Sequence, residues 1–315
     1  MATSFKQPTS FWRKFRNWFV DPAPRSRRRH SRRPAFDALE DRTTPSATLL
    51  GSELLIGPIN STTNQWPSAA MDALGNSVAV WEYQGLAGRQ FDSSGTALGP
   101  VTTLVPGVPF QPAVAADAAG NYVVAFFSFN DHQVHARRFD AAGVQQGADI
   151  VVGPPGTYDY ITWPSVVQTP GGFAVFWDQD DAFIHCQQYD ASGNLVDTIN
   201  VPEATHVIRP RVAADAAGNF VVVYGIQYAD YLGGPLYGQR ISAAGAAVGS
   251  SFSLTVTTGA ASADPVVAVE GNGTFAASWL NYTGAASLAG LGYLDAAYGF
   301  TYVTAYSFVG GSDIA

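Results

Sequence analysis

The stretch "VAADAAGNYVVAF" that begins at Val114 returns as "VAADAAGNFVVVY" at Val212. A chain that rewrites a short unit must stack its copies, because one such unit cannot bury its own apolar face. Three looser relatives complete the set. Pro67–Trp81, Pro112–Phe126, Pro164–Trp177, Pro210–Tyr224 and Pro265–Trp279 each run from a proline through a turn to a large aromatic residue, the third being one residue short. Their prolines stand 45, 52, 46 and 55 residues apart.

Each copy carries two further pieces. The first is "GRQFDSSG", "ARRFDAAG", "CQQYDASG", "GQRISAAG" and, more loosely, "GYLDAAYG"; the second is a short β-branched run, "VTTLV", "DIVVG", "DTINV", "FSLTV" and "YVTAY". Alternating apolar residues mark the first two strands of a unit, and these pieces mark the third and fourth. Asp-x-x-Gly joins them as a tight hairpin, with Asp bonding its own turn and Gly taking a positive φ. Asp72, Asp117, Asp215 and Glu270 fill that column, with Gly75, Gly120, Gly171, Gly218 and Gly273. The column of Trp81, Phe126, Trp177, Tyr224 and Trp279 reads as wedges between neighbouring sheets. Five four-stranded units of this length predict an all-β fold, a β-propeller of five blades over residues 49–315. "GSELLIGPINST" (Gly51–Thr62) is expected to supply a stray fourth strand, beside the last blade or with the tail after Tyr282.

The repeat resembles the "A-D-x-x-G-N-F-V-V-x-W … x-Q-R-F-D-x-x-G" units of large secreted bacterial proteins, over residues 50–280. The resemblance implies a propeller in an exported protein, and the fifth unit departs from it most.

Residues 1–48 are of another kind. Residues 1–42 hold 11 of the 17 Lys and Arg and 4 of the 25 acids, a net of +7, so the remainder carries −15. A basic arm on an acidic body is a two-part molecule. The acidic body disfavours nucleic acid as the main domain's partner. "SFWRKFRNWFV" (Ser10–Val20) places Phe11, Trp12, Phe15, Trp18 and Phe19 on one helical face, and "RSRRRHSRR" follows. Residues 10–33 are therefore expected to contact an anionic membrane surface, within an otherwise disordered leader. The Arg-rich run closed by Leu39-Glu40-x-Arg42-x-x-Pro45 resembles the N-terminal element of exported or envelope proteins of planctomycete-type bacteria. That resemblance implies a secreted or cell-envelope address.

On a propeller, the links between blades and the loops joining second to third strands open on one face, opposite the Asp-x-x-Gly hairpins. The hairpin face is uniform here and the other is varied, which is where function on a rigid scaffold sits. Just before each first-strand proline stand Trp66, Gln111, Trp163, Arg209 and Asp264. A purely structural column would stay uniform, as the glycine column does. These five are the candidate ligand-binding residues, near the central channel, with Tyr158, Tyr160, Tyr228, Tyr231 and Tyr282 on loops nearby. Aromatic faces beside polar groups suit a sugar, so the expected function is a non-enzymatic module that binds a polysaccharide or a surface protein, as a monomer.

Two competing readings stand beside it. A propeller glycoside hydrolase needs paired carboxylates, for which Asp159, Asp178, Asp180, Asp181 and Asp264 are candidates, although no catalytic residue is assigned. A structural envelope module needs no pocket. "DQDD" (Asp178–Asp181) reads as a solvated acidic loop sooner than a calcium site, and "DAAGN" as turn chemistry, so no cofactor is expected unless it is calcium. His132 and His135, beside Asp131 and expected on one side of a strand, lack a third zinc ligand, as does His185. The single cysteine, Cys186, reads as a small buried hydrophobe.

Overall fold

The computed structural model describes residues 55–57, 65–153, 162–179, 183–202, 207–226, 235–254, 261–271, 273–282, 287–295 and 299–307. Of 261–264 and of everything from 280 onward only the backbone is described. The leader, with its expected helix over 10–20, lies outside these residues.

Five sheets of four antiparallel strands follow one another along the chain. The first holds β1 (Gln65–Met71), β2 (Ser77–Glu82), β3 (Leu86–Phe91) and β4 (Thr102–Val105). The second holds β5 (Pro109–Ala116), β6 (Tyr122–Ser128), β7 (Gln133–Phe139) and β8 (Ile150–Val152). Next come β9 (Ser165–Thr169), β10 (Gly172–Trp177), β11 (Phe183–Asp190) and β12 (Leu195–Pro202). The fourth sheet is β13 (Val207–Ala214), β14 (Phe220–Ile226), β15 (Leu236–Ile241) and β16 (Ala247–Ser253). The fifth is β17 (Ala261–Val269), β18 (Phe275–Tyr282), β19 (Ser287–Asp295) and β20 (Gly299–Ser307). Strands run in chain order across each sheet, and the first strands adjoin: β1 beside β5, β5 beside β9, β9 beside β13, β13 beside β17. This is the five-bladed propeller that the repeat predicts.

The second strand of each blade explains the packing. β6 and β14 are buried along their whole length because each has a neighbouring blade on both faces. Period-2 alternation sorts their side chains. Phe173, Val175 and Trp177 of β10 pack with Ala125 and Phe127 of blade two, whereas Ala174 and Phe176 pack with Phe220, Val222 and Tyr224 of blade four. The aromatic column is buried throughout, from Trp81 to Trp279, so these residues are the wedges expected. Cys186 is fully buried among the same side chains, and burial pushes its thiol well above the ordinary range.

The hairpins follow the Asp-x-x-Gly rule where the motif is complete. Asp72 Oδ1 accepts the Leu74 and Asn76 amides at 2.8 Å each, and Asn76 Nδ2 donates to Oδ2 at 2.8 Å. Asp117 and Asp215 repeat that pattern. Blade three differs. There Thr169 pairs directly with Gly172, leaving only Pro170 and Gly171 at the tip, and Gly171 does not take the positive φ expected of it. Gly172 is the constrained residue instead, at φ 158°, where any Cβ would collide with the Tyr189 carbonyl oxygen.

A second column, inside "RQFD", "RRFD", "QQYD" and "QRIS", ties the blades together. Gln90 Nε2 donates to the Ala141 carbonyl at 3.0 Å, Arg138 to Ala191 at 2.8 Å, Gln188 to Ala243 at 3.0 Å and Arg240 to Gly273 at 2.9 Å. Each bond reaches from one blade's third strand to a hairpin of the next. One such bond is worth about 1 kcal/mol net. Gln188→Leu is accordingly expected to lower the unfolding free energy by about 1 kcal/mol. Urea unfolding would check it, and no change would show the latch to be incidental.

The fourth strand of blade five is β20, which contains the "YVTAY" run; most of Gly51–Thr62, from which a stray strand is expected, lies outside the described residues. Among its described residues Leu55–Gly57 form no strand. Ile56 instead packs against the blade-one layer of Ala79, Trp81, Ala87 and Phe91, and Arg89 Nη1 donates to the Leu55 carbonyl at 3.4 Å. The fourth strand of blade four also begins earlier than expected, at Ala247.

Candidate functional site

Three of the five residues preceding the first-strand prolines occupy an unusual backbone. Trp66, Gln111 and Arg209 have φ of 51°, 53° and 52°. A proline normally drives the residue before it to extended geometry, and a bulky residue at positive φ costs about 1–3 kcal/mol. Each sits where pairing with the second strand skips: between Gln65 and Ser68, between Phe110 and Ala113, and between Ile208 and Arg211. The β17 register skips in the same way between Ala263 and Val266, which places Asp264 in a fourth bulge; its side chain is outside the description. Trp163 lies just before β9 and is not at positive φ. A bulge re-aims side chains that a regular strand would alternate between its two faces.

Three of the five, Trp66 and Arg209 from bulges and Trp163 from the link before β9, come together. The Trp66 and Trp163 rings meet edge to face, with centroids 4.7 Å apart and planes at 82°. The Arg209 guanidinium carbon stands 4.3 Å from the Trp163 ring centre. Blade one thus touches blade three past blade two, a contact that only the curvature of a ring provides. Trp66 remains 39% exposed and Trp163 and Arg209 are half-buried, so the cluster has a wet side. Phe110 extends it, 6.2 Å from Trp66. Gln111 is buried, and its Oε1 has no hydrogen-bond partner among the described residues.

Two carboxyl groups hold the bulged backbone. Glu82, which the sequence reading passed over, accepts the Gln111 amide at 2.7 Å across the seam between blades one and two. Asp178 accepts the Trp163 amide at 2.9 Å, and the backbone amides of Asp178 and Arg209 add to it. Burial pushes the Asp178 carboxyl up to about 6, and those amides and Arg211 oppose the shift. Burial also raises Glu82, against the Gln111 amide. Asp178 is 2% exposed, so the expectation of a solvated acidic loop is corrected at this residue. A carboxyl immediately after a strand-two aromatic is the signal that would have found both. Asp180, Asp181, Asp159, Tyr158, Tyr160, Tyr228 and Tyr231 lie outside the described residues, as does the side chain of Tyr282.

The histidines have packing roles. His132 and His135 are three positions apart, so they do not share a strand side: His132 is in the loop at φ 55° and His135 is on β7. His135 stacks on Phe126 at 5.5 Å and bonds Asp131 at 2.8 Å; His185 stacks on Trp177 at 5.3 Å and bonds Asn200 at 2.7 Å. Tyr237 on Tyr224 repeats the arrangement in blade four. Among the described residues no three His, Cys, Asp or Glu gather as a metal site would require.

No family model and no curated protein matches the sequence. Solved structures do match the fold. An α-L-arabinanase of Penicillium chrysogenum complexed with arabinobiose is 15% identical, with 77% of this chain and 80% of that chain covered and a TM-score of 0.51. An exo-β-1,3-galactanase of Clostridium thermocellum is 9% identical, with coverages of 81% and 64% and a TM-score of 0.51. An ulvan lyase is 8% identical, with coverages of 80% and 71% and a TM-score of 0.53. At such identities the likeness is one of architecture.

Proposed function

We propose that this chain is an exported or cell-surface binding module that holds a polysaccharide at the Trp66–Trp163–Arg209 cluster. The convergence itself carries the reading. Backbone strain persists where surrounding structure over-determines it, and such strain gathers at binding and catalytic sites. Here strained bulges deliver Trp66 and Arg209 to a half-exposed spot against Trp163, so that two aromatic side chains and one cationic one converge. Indole faces take the C–H surface of a sugar ring, and the guanidinium edge donates to hydroxyls. Propellers of this architecture that act on arabinan, galactan and ulvan support a glycan ligand.

The test is a glycan array and polysaccharide pull-down with the full chain, wild type beside Trp66→Ala/Trp163→Ala, with circular dichroism confirming the fold. A weakening of at least about tenfold in the folded variant is expected, as loss of roughly 1.4 kcal/mol of contact implies. Equal binding by the variant would remove the site from this cluster, and binding to proteins alone would replace the ligand class.

One observation favours a second reading, the hydrolase. Asp178 stands against the Trp163 backbone with its carboxyl raised to about 6, as a general acid requires. Release of reducing ends from arabinan or galactan by wild type, absent in Asp178→Asn, would establish it.

A further inference from the structure

The hairpin face holds a feature that the repeat does not share equally. At three seams the hairpin glycine of one blade closes over the blade before it. A methyl group placed on Gly120 would lie 3.3 Å from Asp72 Oδ2, one on Gly218 3.3 Å from Pro170 Cδ, and one on Gly273 3.8 Å from Asp215 Oδ2. At the seam between blades two and three the equivalent residue is Gly171, and a methyl group there would meet nothing within 4 Å. The cause is the shortened hairpin. Four residues lie between Gln168 and Phe173, where five lie between Ala116 and Tyr122, and Thr169 pairs with Gly172 to leave a two-residue tip. The space left is a cleft of about 420 Å³, against about 170 Å³ at the seam between blades one and two.

We propose that this cleft is a second ligand site, distinct from the channel cluster, for a neutral sugar or polyol of one or two rings. Its size falls within the range of small-molecule sites. Its lining includes Asp117, Arg138, Asp140 and Gln168, with the largely buried Phe139 and Phe173. Asp117 is the counterpart of Asp72, whose carboxylate the next hairpin covers at the first seam; here no hairpin covers it. Arg138 spends Nη1 on the Ala191 carbonyl, while its Nε, buried against Gly193, has no partner among the described residues. One cation against two carboxylates disfavours an anion. Carboxylate acceptors, a guanidinium donor and apolar lining residues together fit a polyhydroxylated ring, which offers hydroxyls at its edge and C–H groups on its face.

The experiment is titration of the full chain with arabinobiose, cellobiose and galactobiose, followed by saturation-transfer NMR and calorimetry. Three variants accompany wild type. In the first, Thr169-Pro170-Gly171-Gly172 is replaced by the five residues of 117–121, which restores the hairpin of blade two and fills the cleft. The second is Arg138→Gln, the residue type of the latch at Gln90 and Gln188. The third is Trp66→Ala/Trp163→Ala. Binding of at least one disaccharide is expected to survive the third variant, to weaken by at least about tenfold in the first and by a few-fold in the second. Absence of binding from the whole set, or binding that both cleft variants leave unchanged, overturns the proposal. Loss in the tryptophan variant alone overturns it too, while upholding the channel site, so the two sites fail separately.

Discussion

Trp177→Ala is expected to destabilise the fold by about 3–5 kcal/mol, the range for removing a buried large aromatic side chain. Trp177 is 1% exposed and packs with Phe127, Val134 and Val175 in the layer joining blades two and three. It is also the base on which His185 stacks. The cost would therefore fall on a seam, where neither blade can move in to close the cavity without opening the ring elsewhere. The indole Nε1 is buried without a partner among the described residues, so its N–H adds no hydrogen bond there that a phenyl ring would lose. Trp177→Phe should then lose only about 1–2 kcal/mol, a smaller void partly offset by removing an orphaned donor. Urea unfolding at constant m-value would measure both. A loss under about 1 kcal/mol for the alanine variant would mean that blade contacts outside this layer hold the ring.

These wedges were legible in the sequence because their signal is local. A period of 2 ending in an aromatic residue recurs five times, and each copy needs only its own fifteen or so residues to be read. The Asp-x-x-Gly hairpins were legible for the same reason: Asp72 bonds atoms at most four positions away. What failed to show was whatever depends on the ring. The variable column pointed to Trp66, Trp163 and Arg209, but an X-Pro pair carries no signal of the positive φ that Trp66 and Arg209 adopt. Glu82 escaped notice because its partner, the Gln111 amide, is 29 residues away across a seam. The deletion in the third copy was visible, yet its consequence was not. An open seam exists only when Gly171 is compared with Gly120 and Gly218 in their neighbours' company.

The other large effect expected is on pH dependence, through Asp178. Its carboxyl titrates near 6 in the folded chain against 3.8 as the ordinary value, because burial disfavours the charged form. Between those values the folded chain keeps a proton that the unfolded chain has lost. The stabilisation from that proton is fully present below about pH 4 and is lost as pH rises through about 6, which amounts to roughly 3 kcal/mol for a shift of about two units. Asp178→Asn keeps an oxygen for the Trp163 amide but cannot ionise. Its stability relative to wild type should therefore improve by roughly 3 kcal/mol between pH 4 and pH 7. Asp178→Ala cannot ionise either but has no acceptor for the Trp163 and Arg209 amides, and should therefore lie about 1–3 kcal/mol below Asp178→Asn at either pH. Urea midpoints of the three proteins at pH 4 and pH 7 decide the matter. If the difference between wild type and Asp178→Asn does not change with pH, the carboxyl is not desolvated as its burial requires, and it would have lost both its claim to titrate near neutrality and its claim as a general acid. If the difference opens as described, this capping carboxyl carries a stability cost at neutral pH that a capping asparagine would avoid, and retaining an acid there is what a role in proton transfer would explain.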